Sequence, residues 1–190
     1  MIPSFNQSGV LPPFLPQTGP TLSSAMAPYA TNLLEVAQTL GTSAERRDIL
    51  LGLIDYRENL RAAGITHGFQ WVAGSFLEDC ENQRQRAPKD IDIVTFARRP
   101  AIAQSQQDWV AFYDANPHLF DQDITKADHK CDAYYVDLHL SPEAVVSKSR
   151  FWFGLFSHQR DTYIWKGLLE LSLAATDDAA RKFLGGVYAP

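Results

Sequence analysis

The sequence predicts a mixed fold of the α+β class, on three observations. Helical periodicity runs through residues 42–64, two later segments alternate apolar and polar side chains with period two, and the first 30 residues are punctuated by proline. Helix period and strand period together in a chain of 190 residues, a length that suits one domain, place both kinds of element around a shared core.

In chain order, residues 1–30 carry Pro3, Pro12, Pro13, Pro16, Pro20 and Pro28, a composition that sustains neither helix nor central strand, and read as an extended Pro-rich N-terminal arm. Its "GVLPPFL" keeps Val10, Leu11, Phe14 and Leu15, so part of the arm is expected to lie against the domain or a partner. A single domain spans 31–190. A short amphipathic segment at about 31–40 precedes "TSAERRDILLGLIDYRENLRAAGI". There Thr42 and Glu45 have capping-box spacing, Ile49, Leu50, Leu53, Ile54 and Leu60 recur at helical intervals, and Gly64 takes the C-terminal position. "HGFQWVAGS" reads as a strand ending at Gly74, 78–89 as a polar loop, and "DIDIVTFA" as a second strand. A helix follows Pro100 and stops near Asn116–Pro117, and "CDAYYVDLHL" is another strand. "RFWFGLFSHQRDTYIWKGLLELSL" reads as a C-terminal hairpin turning at 158–161, and "TDDAARKFLGG" as a short terminal helix.

Composition narrows the function. With 45% hydrophobic and 21% charged residues the chain has globular make-up, and a formal net charge of −5 opposes a broad electrostatic grip on nucleic acid. Cys80 and Cys131 lack metal-ligand spacing, so free thiols are expected in place of a zinc site or a disulfide. No apolar run approaches the ~18 residues of a membrane helix, and the N-terminus lacks the basic-then-apolar order of a signal peptide. The expectation is a cytoplasmic protein with no membrane partner.

Chemistry enters with "DIDIV". Residues two apart on a strand share a face, so Asp90, Asp92 and Val94 point one way while Ile91 and Ile93 point the other. Neighbouring carboxylates repel unless a cation lies between them, and hard oxygen ligands suit Mg²⁺ or Mn²⁺. For so short a motif the plain alternative is a strand-end cap or a pairing with Lys or Arg. Upstream, "WVAGS" ends a strand at Gly74–Ser75. Glycine lets the backbone turn sharply so that phosphate oxygens approach main-chain N–H groups, and Ser75 adds a hydroxyl donor. A triphosphate seated there would reach a metal on Asp90 and Asp92.

"WVAGS", a loop, then "DIDIV" resembles the nucleotidyltransferase superfamily that shares the DNA polymerase β-like fold, over roughly residues 43–140. The arm's "LPPF" is similar to that of a small bacterial and phage-associated nucleotidyltransferase-like branch. The resemblance implies a mixed sheet with helices on one face. It also implies two metal ions, Mg²⁺ or Mn²⁺, shared by three carboxylates for an in-line displacement at the α-phosphate of an NTP. For the third carboxylate "CDAYYVDLHL" offers Asp132 and Asp137. Strand parity groups Asp132 with Tyr134, Val136, Leu138 and Leu140, an apolar, core-facing set, and Asp137 with Ala133, Tyr135 and His139 on a more open face. Parity favours Asp137 for metal and catalysis, and a one-residue bulge would favour Asp132.

Other side chains carry two readings each. Lys166, inside "YIWKGLLEL", reaches a triphosphate or snorkels to solvent; Arg98 and Arg99 touch substrate or end a strand in water. His139 helps hold base or metal, or is simply packed. Arg160, Glu78, Asp79 and Glu81 are expected in solvent. The rings of Phe151, Trp152, Phe153, Phe156, Tyr163 and Trp165 are expected mostly in the core, with one free to stack on a base. The leading expectation is a metal-dependent nucleotidyltransferase that moves an NMP from an NTP to a hydroxyl acceptor: a protein side chain, an RNA end or a small molecule. The alternative is a catalytically inactive nucleotidyltransferase-like protein of a toxin–antitoxin or phage-defence system, binding a protein partner through the N-terminal arm.

Overall fold

Five strands form one mixed sheet, ordered β1-β5-β2-β3-β4, in a computed structural model that describes residues 1–186. They are β1 (Tyr29–Thr31), β2 (Gly68–Ala73), β3 (Ile91–Ala97), β4 (Cys131–Asp137) and β5 (Leu169–Ser172). β2 is antiparallel to both neighbours, β5 and β3, while the β1–β5 and β3–β4 pairs are parallel. A parallel pair needs a crossover, and helices α4 (Gln106–Ala115), α5 (Pro117–Phe120) and α6 (Gln122–His129) supply it between β3 and β4.

The main core lies on one sheet face. Val72, Ile91, Ile93, Cys131, Ala133, Leu169 and Leu171 meet α1 (Leu33–Leu40), α2 (Ala44–Ala62) and α8 (Asp178–Gly186) there. The predicted α2 stripe, Ile49, Leu50, Leu53, Ile54 and Leu60, is wholly buried. Its cap is Ser43, whose hydroxyl accepts from the Arg46 amide, one residue beyond the expected Thr42. Gly64, at φ +83, closes the helix as its position predicts, its amide donating to the Arg61 carbonyl. Inside α2, Gly52 lets the end of α6 come close: a Cβ there would lie 2.1 Å from the His129 carbonyl oxygen.

The expected C-terminal hairpin does not form. Residues 151–156 belong to α7 (Pro142–Phe156), started by Ser141, whose hydroxyl accepts from the Ala144 amide, and by Pro142 in the first turn. Trp152, Phe153 and Phe156 recur at helical spacing and pack on Val94, Phe96 and Val136, so tertiary packing overrides the strand preference of the rings. That contact is on the second sheet face. Helices therefore cover both faces, not one. The expected polar loop 78–89 contains a short helix, α3 (Cys80–Arg84).

The arm is stitched to the domain. Val10 and Leu11 are fully buried, the Leu11 amide donates to the Leu77 carbonyl, and the Gly167 amide donates to the Leu11 carbonyl. Its last residues, Tyr29 and Ala30, already lie in β1. Among the described residues, no helix is long and apolar enough to cross a membrane.

Helix propensity alone favours alanine over glycine by about 1 kcal/mol in a helix interior. At position 52 the backbone contact reverses that sign. Gly52→Ala is expected to destabilise the protein by about 1–3 kcal/mol, read as a lowered urea midpoint at unchanged slope; a raised midpoint would contradict the close α2–α6 approach.

Candidate functional site

Register brings the carboxylates together. Asp92 pairs across the strand with Asp132, and Asp90 stands one residue before β3, while Ile91 and Ile93 are fully buried on the opposite face. Asp90, Asp92 and Asp132 line an open pocket of about 800 Å³ together with Gly74, Ser75 and Lys166. β2 ends beside them, with Ala73 opposite Asp92. Gly74 then turns at φ +79, and a Cβ at that position would lie 2.6 Å from Asp92 Oδ2. Only glycine admits the Asp92 carboxylate this close to the turn.

The charges are unbalanced by design of the fold. Burial, and then the carboxylates of Asp90 and Asp132, push Asp92 up to about 6. A cation reaches the cluster from α6: Lys126 Nζ lies 2.7 Å from Asp90 Oδ2 and 3.8 Å from Asp132 Oδ2. Its hydrogen bond to Asp90 raises the Lys126 pKa in turn.

Beneath the Gly-Ser turn sits a buried ionic hub. Lys166 Nζ donates to the Gly74 carbonyl at 2.9 Å and to Glu78 Oε1 at 2.7 Å. Glu78 also accepts from Arg84 at 2.7 Å and from Gln159 at 2.9 Å. Burial pushes the Glu78 carboxyl up, but Lys166 and the hydrogen bonds outweigh it and leave the pKa lowered. Arg46 of α2 donates to the carbonyls of Phe76 and Glu78 and pairs with Glu81. Glu78 is therefore a buried anchor and Glu81 an ion-pair partner, against the expectation that both are solvated.

Two further expectations change. Asp137 lies on the main-core face at the other end of β4, ion-paired with Arg99 at 2.7 Å and accepting from the His139 amide at 2.9 Å. The parity groups hold without a bulge, but the face of Asp132, Tyr134 and Val136 is covered only by α7 and stays open at its Asp132 end. Asp132, not Asp137, joins Asp90 and Asp92. Arg98 is exposed beyond the far end of β3, about 20 Å along the strand from Asp92 at ~3.3 Å per residue, and does not line the pocket. Arg99 and His139 are likewise engaged with Asp137, whereas Arg160 lines the pocket as an exposed side chain. Lys126 and Tyr134 are pocket residues that the sequence did not single out.

As the side chains stand, no three His, Cys, Asp or Glu residues among the described ones are gathered tightly enough to hold a metal ion. The ammonium of Lys126 takes the place of a cation between Asp90 and Asp132. The donor set still fits a hard divalent cation: Asp90 and Asp132 share Lys126, and Asp92 beside them ionises reluctantly.

Asp92 has a direct signature. Its folded-state pKa is above the unfolded value near ~3.9, so between about pH 4 and 6 the folded chain holds a proton the unfolded chain has lost, and stability falls as pH rises through that window. In EDTA, Asp92→Asn is expected to melt higher than the wild type at pH 8 and close to it at pH 4. Equal melting at pH 8 would count against the repulsion.

Comparison with curated proteins and with solved structures gives no match. A family profile matches residues 3–172, and on that extent the chain belongs to a family of unknown function, DUF6932.

Proposed function

We propose that the chain is a metal-dependent nucleotidyltransferase that moves an NMP from an NTP to a hydroxyl acceptor and releases pyrophosphate. The observation that supports it is the in-register pair Asp92 and Asp132, with Asp90 on the same pocket wall and the Gly74–Ser75 turn on the adjoining strand. The order of strand, Gly-Ser, D-h-D strand and later carboxylate strand in one mixed sheet supports reading it as a polymerase β-like core, with Asp132 as the third carboxylate in place of Asp137. Mg²⁺ or Mn²⁺ held by Asp90, Asp92 and Asp132 would supply positive charge and Lewis acidity at a transferring phosphoryl group.

The chain's own residues have distinct parts in this reading. Gly74 and Ser75 seat phosphate oxygens with backbone amides and a hydroxyl. Lys166, committed to the Gly74 carbonyl and Glu78, fixes the shape of the turn and acts on phosphate only through it. Arg86 and Arg160, both exposed at the pocket, offer cations to the phosphates. Lys126 neutralises Asp90 and Asp132 in the metal-free chain, and its half-exposed stem would leave it room to give way to a cation held by the carboxylates. Asp132 completes the carboxylate set or takes the proton of the acceptor hydroxyl, on a protein side chain, an RNA end or a small molecule.

One observation favours a second reading. Lys126 already fills the cation position, which suits a catalytically inactive nucleotidyltransferase-like protein that binds a partner, as in a toxin–antitoxin or phage-defence pair.

Labelled NTPs with Mg²⁺ or Mn²⁺ separate the two. Pyrophosphate release and label transfer are expected from the wild type, with a drop of at least about a hundredfold in Asp92→Asn and Asp132→Asn, because a lost ligand removes several kcal/mol of charge stabilisation. Asp137→Asn is expected to lower the melting temperature while turnover per folded molecule stays within about threefold, since its carboxylate serves Arg99. No turnover with any NTP, and unchanged biological activity in Asp92→Asn, would leave the partner-binding reading.

Mn²⁺ gives a second, simpler readout. It is expected to raise the melting temperature of the wild type and to lose that effect in Asp92→Asn, through preferential binding to the folded state.

A further inference from the structure

Tyr163 stands where folding alone does not put a tyrosine. Its φ is +57, a left-handed conformation that a bulky residue disfavours, and its side chain is 80% exposed, so burial does not offset the strain. The surrounding loop enforces this. The Tyr163 amide donates to the Gln159 carbonyl at 2.9 Å, the Gln159 amide donates to the Ile164 carbonyl at 2.9 Å, and His158 bridges to Trp165. The loop closes on itself, with the Thr162 hydroxyl bonded to the Gln159 side chain.

Both ends of that loop are clamped to one carboxylate. Gln159 Nε2 and Lys166 Nζ each donate to Glu78, and Lys166 also holds the Gly74 carbonyl. The loop is thus fixed to the same turn that faces Asp92, and Tyr163 lines the same pocket as Asp90, Asp92 and Asp132. Tyr134, another pocket ring, is packed on Trp152 with centroids 4.4 Å apart, whereas Tyr163 pairs with no other aromatic ring among the described residues. A strained, exposed, unpaired ring on an over-determined loop beside a pocket is the arrangement in which strain serves a ligand.

We infer that Tyr163 is a stacking platform for the nucleobase of a nucleotide whose phosphates lie at Gly74–Ser75. The inference rests on the nucleotidyltransferase reading and adds how the base is recognised. A ring face reads any base, with larger purines gaining more than pyrimidines, and makes no demand on the hydrogen-bonding edge.

Calorimetric titration with Mn²⁺ tests this, using ATP, CTP and inorganic tripolyphosphate as probes on wild type, Tyr163→Phe, Tyr163→Ala and Tyr163→Gly. Tyr163→Phe is expected to match the wild type for all three probes. Tyr163→Ala is expected to weaken ATP about fivefold or more, the lower end of a lost base stack, and CTP by less, with tripolyphosphate unchanged. Tyr163→Gly, free of the left-handed strain, is expected to lose the same affinity without any loss in melting temperature. Unchanged ATP affinity in Tyr163→Ala, or an equal loss for tripolyphosphate, overturns the inference. So does a wild type that binds tripolyphosphate as tightly as ATP. A wild type that binds none of the three probes overturns the nucleotidyltransferase reading as well.

Discussion

The parallel, in-register pairing of β3 with β4 is the constraint on which the site depends. Side chains alternate with period two, so the pairing that lays Ile91 and Ile93 beside Cys131 and Ala133 also sets Asp92 beside Asp132. The apolar half fixes the register, because all four of those residues are buried under the helices of the main core. A slip of one residue would send Asp132 into that core and bring an apolar neighbour beside Asp92. The carboxylates are held in mutual repulsion by the burial of their strand neighbours on the opposite face.

How much of this was legible depended on how local each signal was. The α2 stripe, the β3 alternation and the Gly74–Ser75 turn are short-range patterns, and they read correctly from the sequence. The third carboxylate did not. Parity sorted Asp132 and Asp137 onto opposite faces, but which face lies open is decided by α7, whose aromatic run resembles strands. Glu78 looked like a solvated charge and Lys166 like a triphosphate ligand or a snorkelling side chain, because each satisfies the other only across the tertiary fold. Lys126 reaches the carboxylates through the β3–β4 crossover, for which no local pattern exists.

Glu78 joins parts of the chain that share no sequence neighbourhood. Lys166, Arg84 and Gln159 converge on it, so the Gly-Ser turn, α3 and the Tyr163 loop hold one relative geometry. A buried ion pair gives little net stability, because desolvation offsets much of the attraction, but its bond directions restrict how the segments can sit. Here that restriction falls on the pocket wall. The DUF6932 match at residues 3–172 takes in this hub, both carboxylate strands and the arm.

The arm links the two ends of the sequence at the site. Leu11 bonds to Leu77 on one side and Gly167 on the other, and β1 pairs with β5. A ribosome delivers these partners far apart in time. The first strand must wait, unpaired, until β5 emerges, and the Glu78 hub must wait for Lys166. Contacts so distant in sequence carry the larger loop-closure cost, and a chain emerging from the ribosome carries Asp90, Asp92 and Asp132 before Gln159 and Lys166, which fix the turn beside them, have been made.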